Sequence, residues 1–169
     1  MHTIPYLARW TALVVLLVSC IGCDQVTKQL AVAQLKGQPA RTYLSGTVRL
    51  EYAENPGAFL GLGDQLPPAA RWMTMVVFNG IVTAGIFALL VARRQVSPAA
   101  FVAAALLLAG ALGNLIDRVR GDGLVIDFMN LGVGPLRTGI FNVADVAITA
   151  GAICLAVNSF ARADRTALK

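Results

Sequence analysis

Histidine is almost missing from this chain of 169 residues, which has only His2. With one imidazole the chain supplies neither a multi-His zinc site nor a Ser–His–Asp triad. Charge is also scarce. Charged residues make up 14% of the chain, against roughly 25% in a soluble globular domain. Carboxylates are the scarcer sign, 9 against 14 Lys and Arg, which leaves a formal +5. In their place, 57% of the residues are hydrophobic and the mean hydropathy is +0.68. These values exclude an ordinary soluble enzyme and a disordered chain and indicate an integral membrane protein. The length fits a single domain. No internal repeat or low-complexity tract is present.

A membrane span needs about 20 apolar residues. Trp10–Cys23 is an uncharged run of only 14, so a first span must run on through Asp24 toward Lys28. Trp72–Ala92 is 21 uncharged residues, Gln95–Ile116 is 22, and Thr138–Ala161 is 24 with Asp145 its one charge. Pro98 suits a helix start. The expectation is a mainly α membrane protein in one polytopic domain, with spans at about residues 10–28, 70–92, 97–118 and 140–161. The polar insert at about residues 36–69 contains Gly37, Gly46, Pro39 and Pro67, so it is not one long helix. Within it Val48, Leu50 and Tyr52 alternate with Arg49 and Glu51, the period of a half-buried strand. A small β element on the membrane surface follows, and Leu124–Met129 is a candidate second short strand.

Four spans put both termini on one side, with the Arg93–Arg94 turn. That side holds Arg9, Arg93, Arg94, Arg162, Arg165 and Lys169 against Asp164, which is the whole formal charge. The other side has eight basic and eight acidic residues. The dense basic turn and tail favour cytoplasmic termini. Trp10 and Trp72 fall near span ends, where an aromatic belt is expected.

Eight of the nine carboxylates fall on the non-cytoplasmic side. Asp24, Asp117, Asp127 and Asp145 lie at or near membrane depth, where an ionisable group costs several kcal/mol and marks a functional site by default. Asp24 and Lys28 are spaced i, i+4 and share a helix face. Asn114, Asp117 and Arg118 share a face at the end of span three, and Asn142 and Asp145 share one at the start of span four. The short Gly-rich connection between those spans makes them neighbours. Asp24–Lys28 and Asp117–Arg118 are read as ion pairs, whereas Asp127 and Asp145 have no local cation. Two carboxylates brought together in poor dielectric hold one proton between them. In that state one takes a proton from water while the other protonates a departing amine.

Plainer readings compete at several positions. Asp145 suits a helix N-terminal cap, Asn55-Pro56-Gly57 is a turn signal, and Asn79 is an interhelical hydrogen-bonding residue. Cys20, Cys23 and Cys154 are read as buried packing residues. Leu17-Val18-Ser19-Cys20 has the form of a lipoprotein cleavage box, but three further spans follow it. A Ser–Lys protease would need Ser19 or Ser45 as nucleophile with Lys28 as base, and both serines are badly placed. A small transporter or proton relay also uses intramembrane Asp and Asn and is the main alternative function.

Five blocks in order carry a resemblance over nearly the whole chain. They are Asp24-Gln25-Val26-Thr27-Lys28, Glu54-Asn55-Pro56-Gly57-Ala58-Phe59, Gly113-Asn114-Leu115-Ile116-Asp117-Arg118, Val125-Ile126-Asp127-Phe128 and Phe141-Asn142-Val143-Ala144-Asp145. Together they resemble the lipoprotein signal peptidase (signal peptidase II) family, the aspartyl proteases of the bacterial inner membrane. Glu54 stands where the family more usually has an aromatic. The resemblance implies that Asp127 and Asp145 are the catalytic pair. It also implies that Asp24, Lys28, Asn55, Gly57, Asn114, Asp117, Arg118 and Asn142 support the pair and the substrate. Arg118 is expected to orient Asp117 or the substrate. The implied substrate is a prolipoprotein bearing diacylglycerol on a Cys, cut just before that Cys. Neither metal nor organic cofactor is implied, and the expected partners are this substrate and membrane lipid, with no nucleic acid. The expected form is a monomer spanning the inner membrane, both termini cytoplasmic and the site near the periplasmic face.

Overall fold

The computed structural model describes residues 6–57, 66–92 and 96–167. Four long helices dominate it: α1 (Tyr6–Leu35), α2 (Pro68–Ala92), α3 (Pro98–Arg120) and α4 (Val143–Ala167). All four are long and apolar enough to cross a membrane. Strands β1 (Arg41–Tyr43) and β2 (Val48–Asn55) lie between α1 and α2. Strands β3 (Val125–Val133) and β4 (Leu136–Arg137) lie between α3 and α4. The Arg93–Arg94 turn, Ala58-Phe59 of the second block and the side chains of Arg162, Asp164, Arg165 and Lys169 lie outside the described residues.

α3 is the central helix and packs against each of the other three. It begins as its sequence directs: Ser97 is the N-cap, its hydroxyl accepting from Ala100 N, and Pro98 takes the first turn. Ala103, Ala105, Ala109, Gly110 and Gly113 keep its buried face small, so the neighbouring backbones come close. The outward faces of the other helices stay apolar, with Val18 68%, Phe78 66% and Val157 62% exposed. Faces of that kind belong against acyl chains.

At one end of the bundle Leu13, Leu90, Phe101, Ala105 and Leu108 form a core, with Trp10 packed on it. Arg9 is buried there. It donates to the Leu90 carbonyl near the C-terminus of α2 and stacks over the Phe101 ring at 5.0 Å. Trp72 lies at the opposite end, so the two tryptophans mark both ends of the bundle. Cys20 and Cys154 are only half-buried and Cys23 is exposed. This corrects the expectation of buried cysteines. Cys23 sits on an outward helix face, where an apolar sequence run means contact with lipid, and Cys154 lies at the edge of the α3–α4 contact with its Sγ 3.8 Å from the Ala99 carbonyl.

The β element is larger than the sequence indicates. The four strands form one antiparallel sheet in the order β1-β2-β3-β4, so the insert after α1 pairs with the connection before α4. Ala31, Leu35 and Phe128, with Leu50 and Tyr52, seat the sheet on the end of α1. The register of β2 on β3 shifts between Leu50 and Ala53: Leu50 faces Met129, while Ala53 faces Asp127 and Asn55 faces Val125. Glu51 and Tyr52 together therefore oppose Phe128, which makes a β-bulge. Without the extra residue, Glu54 would take the face that Asn55 occupies, because side chains alternate with a period of two.

Candidate active site

The polar residues collect where the C-terminal end of α3, the N-terminal end of α4 and the sheet meet α1. Asp24 and Lys28 face α3 from one side of α1. Lys28 is 2% exposed, and its ammonium contacts Asp24 Oδ2 at 2.8 Å and Asp117 Oδ2 at 2.8 Å. Its third contact is Asn114 Oδ1 at 3.1 Å. Three acceptors use all three N–H groups of an ammonium, which is how a buried lysine keeps its charge. The other oxygen of Asp24 accepts from the backbone N of Ala144 at 2.9 Å. An N–H in the first turn of a helix has no partner within that helix, so α1 caps α4.

Asp117 behaves differently from its expected pairing with Arg118. Its oxygens accept from Gln25 Nε2 at 2.8 Å and Ile126 N at 3.2 Å, in addition to Lys28. Successive residues on a helix point about 100° apart and do not face each other, so Asp117 turns to α1 and Arg118 toward α2. Arg118 Nη1 reaches the Asn114 carbonyl at 3.5 Å. With its amide oxygen turned toward this group, Asn79 accepts from Arg118 Nη1 at 2.7 Å and donates to the Ala111 carbonyl at 3.3 Å. Asn79 is thus the expected interhelical residue. Among the described residues Arg118 Nε is buried without a hydrogen-bond partner. Gln25 was not singled out from the sequence, and only its place beside Asp24 hinted at its part in the network.

Asp127 reaches the cluster from β3 and is 2% exposed. Its Oδ2 accepts from Asn55 Nδ2 at 2.8 Å and its Oδ1 from Asn142 Nδ2 at 2.6 Å. Asn55 Oδ1 in turn accepts from Gly57 N at 2.9 Å, so the turn signal also aims the amide at Asp127. Gly57 has φ +78°, and a Cβ there would lie 3.1 Å from Arg118 Nη2 and 3.0 Å from Met75 Sδ. Both its backbone conformation and its surroundings favour glycine.

Asp145 stands at the third residue of α4, where it and Asn142 cap the helix reciprocally. Asn142 Oδ1 accepts from Asp145 N at 2.9 Å, and Asp145 Oδ2 accepts from Asn142 N at 3.1 Å. This is the capping box, so the plain cap reading of Asp145 is correct as far as it goes. Its Oδ1 also accepts from Asn114 Nδ2 at 2.9 Å. Asn142 therefore bridges the two carboxylates, with its amide on Asp127 and its backbone N–H on Asp145. Among the described residues neither Asp127 nor Asp145 is in an ion pair. Burial, followed by the nearby Asp145 charge, pushes the Asp127 carboxyl up to about 6 against the opposing hydrogen bonds from Asn55 and Asn142.

Asp145 lies between two grooves. One of about 300 Å³ is lined by Gly57, Phe78, Asn79, Asn114, Arg118 and Ile148. The other, of about 530 Å³, runs along α4 past Thr138, Phe141, Val146, Thr149 and Ile153. Glu54 points elsewhere, accepting from Lys36 Nζ at 2.9 Å and Tyr52 Oη at 2.6 Å. Among the described residues no three His, Cys, Asp or Glu side chains gather in a way that would hold a metal ion.

The family model for signal peptidase (SPase) II matches residues 16–161, which include every residue of this cluster. The chain is 41% identical to the lipoprotein signal peptidase of Sphingopyxis alaskensis over 134 residues, covering 78% of this chain and 75% of that one. It is 38% identical to the lipoprotein signal peptidase of Chlorobium phaeovibrioides over 152 residues, covering 84% and 86%. In three dimensions it is similar to a bacterial membrane enzyme solved by the in meso method at 2.3 Å, with a TM-score of 0.80, 25% identity and coverage of 98% and 95%. A second such structure, at 1.9 Å, gives a TM-score of 0.78 with 26% identity, covering 94% of this chain and 96% of that one. The chain is a multi-pass membrane peptidase and belongs to the signal peptidase II family.

Proposed function

We propose that this protein is an aspartyl endopeptidase that removes the signal peptide from diacylglyceryl-modified prolipoproteins by hydrolysing the bond just before the lipidated Cys. Asp127 and Asp145 form the catalytic pair, one taking a proton from the attacking water and the other protonating the departing nitrogen. The observation that carries this reading is the bridging of these two carboxylates by Asn142 where two largely apolar grooves meet at Asp145. The lipid of the substrate stays in the membrane, so the scissile bond has to meet the pair at the membrane surface. Asn55, Asn114 and Asn142 hold the pair, and Arg118, with a buried N–H to offer, binds a carbonyl of the extended substrate. Asp24, Lys28 and Asp117 lock α1, α3 and α4 around the site, and Gly57 leaves room for Arg118.

The protein acts as a monomer in the bacterial inner membrane, with both termini in the cytoplasm and the pair near the periplasmic face. Beyond Asn114 and Asn79 the central helix presents Leu108, Ala105 and Phe101 to its neighbours. A proton or solute path would need a continuous polar lining there, and Arg9 at that end is tied to the Leu90 carbonyl. The test is a gel-shift cleavage assay on a diacylated prolipoprotein. Asp127→Asn and Asp145→Asn should each insert normally and lose cleavage, and activity retained in either variant refutes the pair.

A further inference from the structure

The surroundings of Asp127 and Asp145 are not equivalent, and the difference bears on which of them carries the shared proton. Asp145 lies in the first turn of α4 and accepts a backbone N–H there, where the positive end of the helix dipole favours an anion. Its other oxygen accepts from Asn114 Nδ2. That amide is itself polarised, because Asn114 Oδ1 accepts from the buried Lys28 ammonium at 3.1 Å. A cation on the oxygen of an amide strengthens its N–H groups as donors. Arg118 and Asp145 also line the same groove.

Among the described residues Asp127 accepts neither a helix N-terminal N–H nor an amide polarised by a cation, and the Lys28 charge acts on it only through space. Asp127 lies on a strand, which carries little net dipole. Its two amide donors are backed only by neutral groups: Asn55 Oδ1 accepts from Gly57 N, and Asn142 Oδ1 accepts from Asp145 N. Among the described residues the charged groups packed around the pair are Asp24 and Lys28 from α1, Asp117 and Arg118 from α3, and the two carboxylates themselves. The only charged residue of α2, Arg71, is engaged at the Asp122 carbonyl. On β2, Glu54 is held by Lys36 and Tyr52.

We propose that Lys28, acting through Asn114, and the N-terminus of α4 hold Asp145 as the ionised member of the pair, so that the shared proton resides on Asp127. The inference rests on the aspartyl reading above. Burial of Asp127 acts in the same direction. Asp145 is then the base and Asp127 the acid. As the water oxygen bonds to the carbonyl carbon, one water proton passes to Asp145. The C–N bond breaks as Asp127 gives its proton to the departing nitrogen, and the second water proton stays on the new carboxyl. A proton transfer from Asp145 back to Asp127 restores the starting state. Lys28 touches no reacting atom and is a positioning residue.

The test is the pH profile of kcat/KM on a diacylated prolipoprotein for wild type and for Lys28→Gln/Asp117→Asn. The double substitution removes one charge of each sign, so the cluster keeps its net charge while Asn114 loses its cation. The acidic limb reports the group that must be ionised and the alkaline limb the group that must be protonated. The acidic limb should move to higher pH by about one unit, a roughly tenfold loss of kcat/KM on the acid side, with the alkaline limb in place. Movement of the alkaline limb alone would reverse the assignment, and superimposable profiles would remove Lys28 from it; either overturns the proposal. If the double variant fails to fold, Asn114→Ala with Lys28 intact cuts the same connection and should move the same limb. An unmoved limb there is equally fatal. The aspartyl reading fails by a different result, cleavage surviving in Asp127→Asn or Asp145→Asn.

Discussion

Gly110 controls the distance between α3 and α4, and adding a single methyl group there should disable the site more than the fold. A Cβ at Gly110 would run into the Ala144 carbonyl oxygen and lie 2.6 Å from Ile148 Cγ1. Returning the Ile148 contact to an ordinary 3.4 Å requires the helices to separate by about 0.8 Å. Ala144 adjoins Asp145, and Asn114 lies one turn beyond Gly110, so the same displacement acts on their hydrogen bond. A bond of 2.9 Å stretched to about 3.7 Å is no longer one. Overpacking of this kind costs about 1–3 kcal/mol, whereas misplacing a catalytic group by about 1 Å costs on the order of 100-fold in rate. Gly110→Ala should therefore unfold cooperatively in detergent at a modestly lower temperature while cleaving a diacylated prolipoprotein about 100-fold more slowly. Gly22→Ala is the control, since a Cβ there meets nothing within 4 Å. A Gly110→Ala protein with wild-type kcat/KM would refute the claim that close helix approach sets the geometry of the site.

Asn55→Ala removes a hydrogen bond that favours the ionised form of Asp127. The alkaline limb of kcat/KM should move to higher pH, and the rate at the optimum should fall by up to about 10-fold, as for loss of one hydrogen bond to a neutral carboxyl. Stability should also depend on Asp127. Its carboxyl, ordinarily at 3.8, is raised to about 6 in the folded protein. Its contribution is therefore fully present below the unfolded value and is lost as pH rises through about 6. The unfolding free energy of wild type should fall relative to Asp127→Asn between pH 4 and pH 8, by at most about 3 kcal/mol, and parallel curves would contradict this. Lys28→Met strands two buried carboxylates and should cost about 3–5 kcal/mol in a thermal-unfolding measurement. Lys36→Met, at an exposed pair, should leave the midpoint nearly unchanged.

The sequence alone determined the spans and marked the residues of the candidate site. Apolar runs of 21 and 22 residues leave no other fate than a bilayer, because water excludes them and lipid demands helices. Carboxylates placed among such runs stand out for the same energetic reason, so Asp24, Asp127 and Asp145 were legible as exceptions. The i, i+4 spacing likewise foretold the contact of Asp24 with Lys28, a local matter of helix geometry. Tertiary structure decided the partners. Asp117 abandoned its sequence neighbour Arg118 for Lys28, and Arg118 turned to Asn79, because helix direction outranks adjacency in the chain. The sheet uniting two separate connections, and the bulge that turns Asn55 toward Asp127, depend on pairing between residues 70 or more positions apart. Local patterns of charge and hydropathy carry no record of such pairing. The burial that raises Asp127 likewise exists only once β3 lies against α1 and α3.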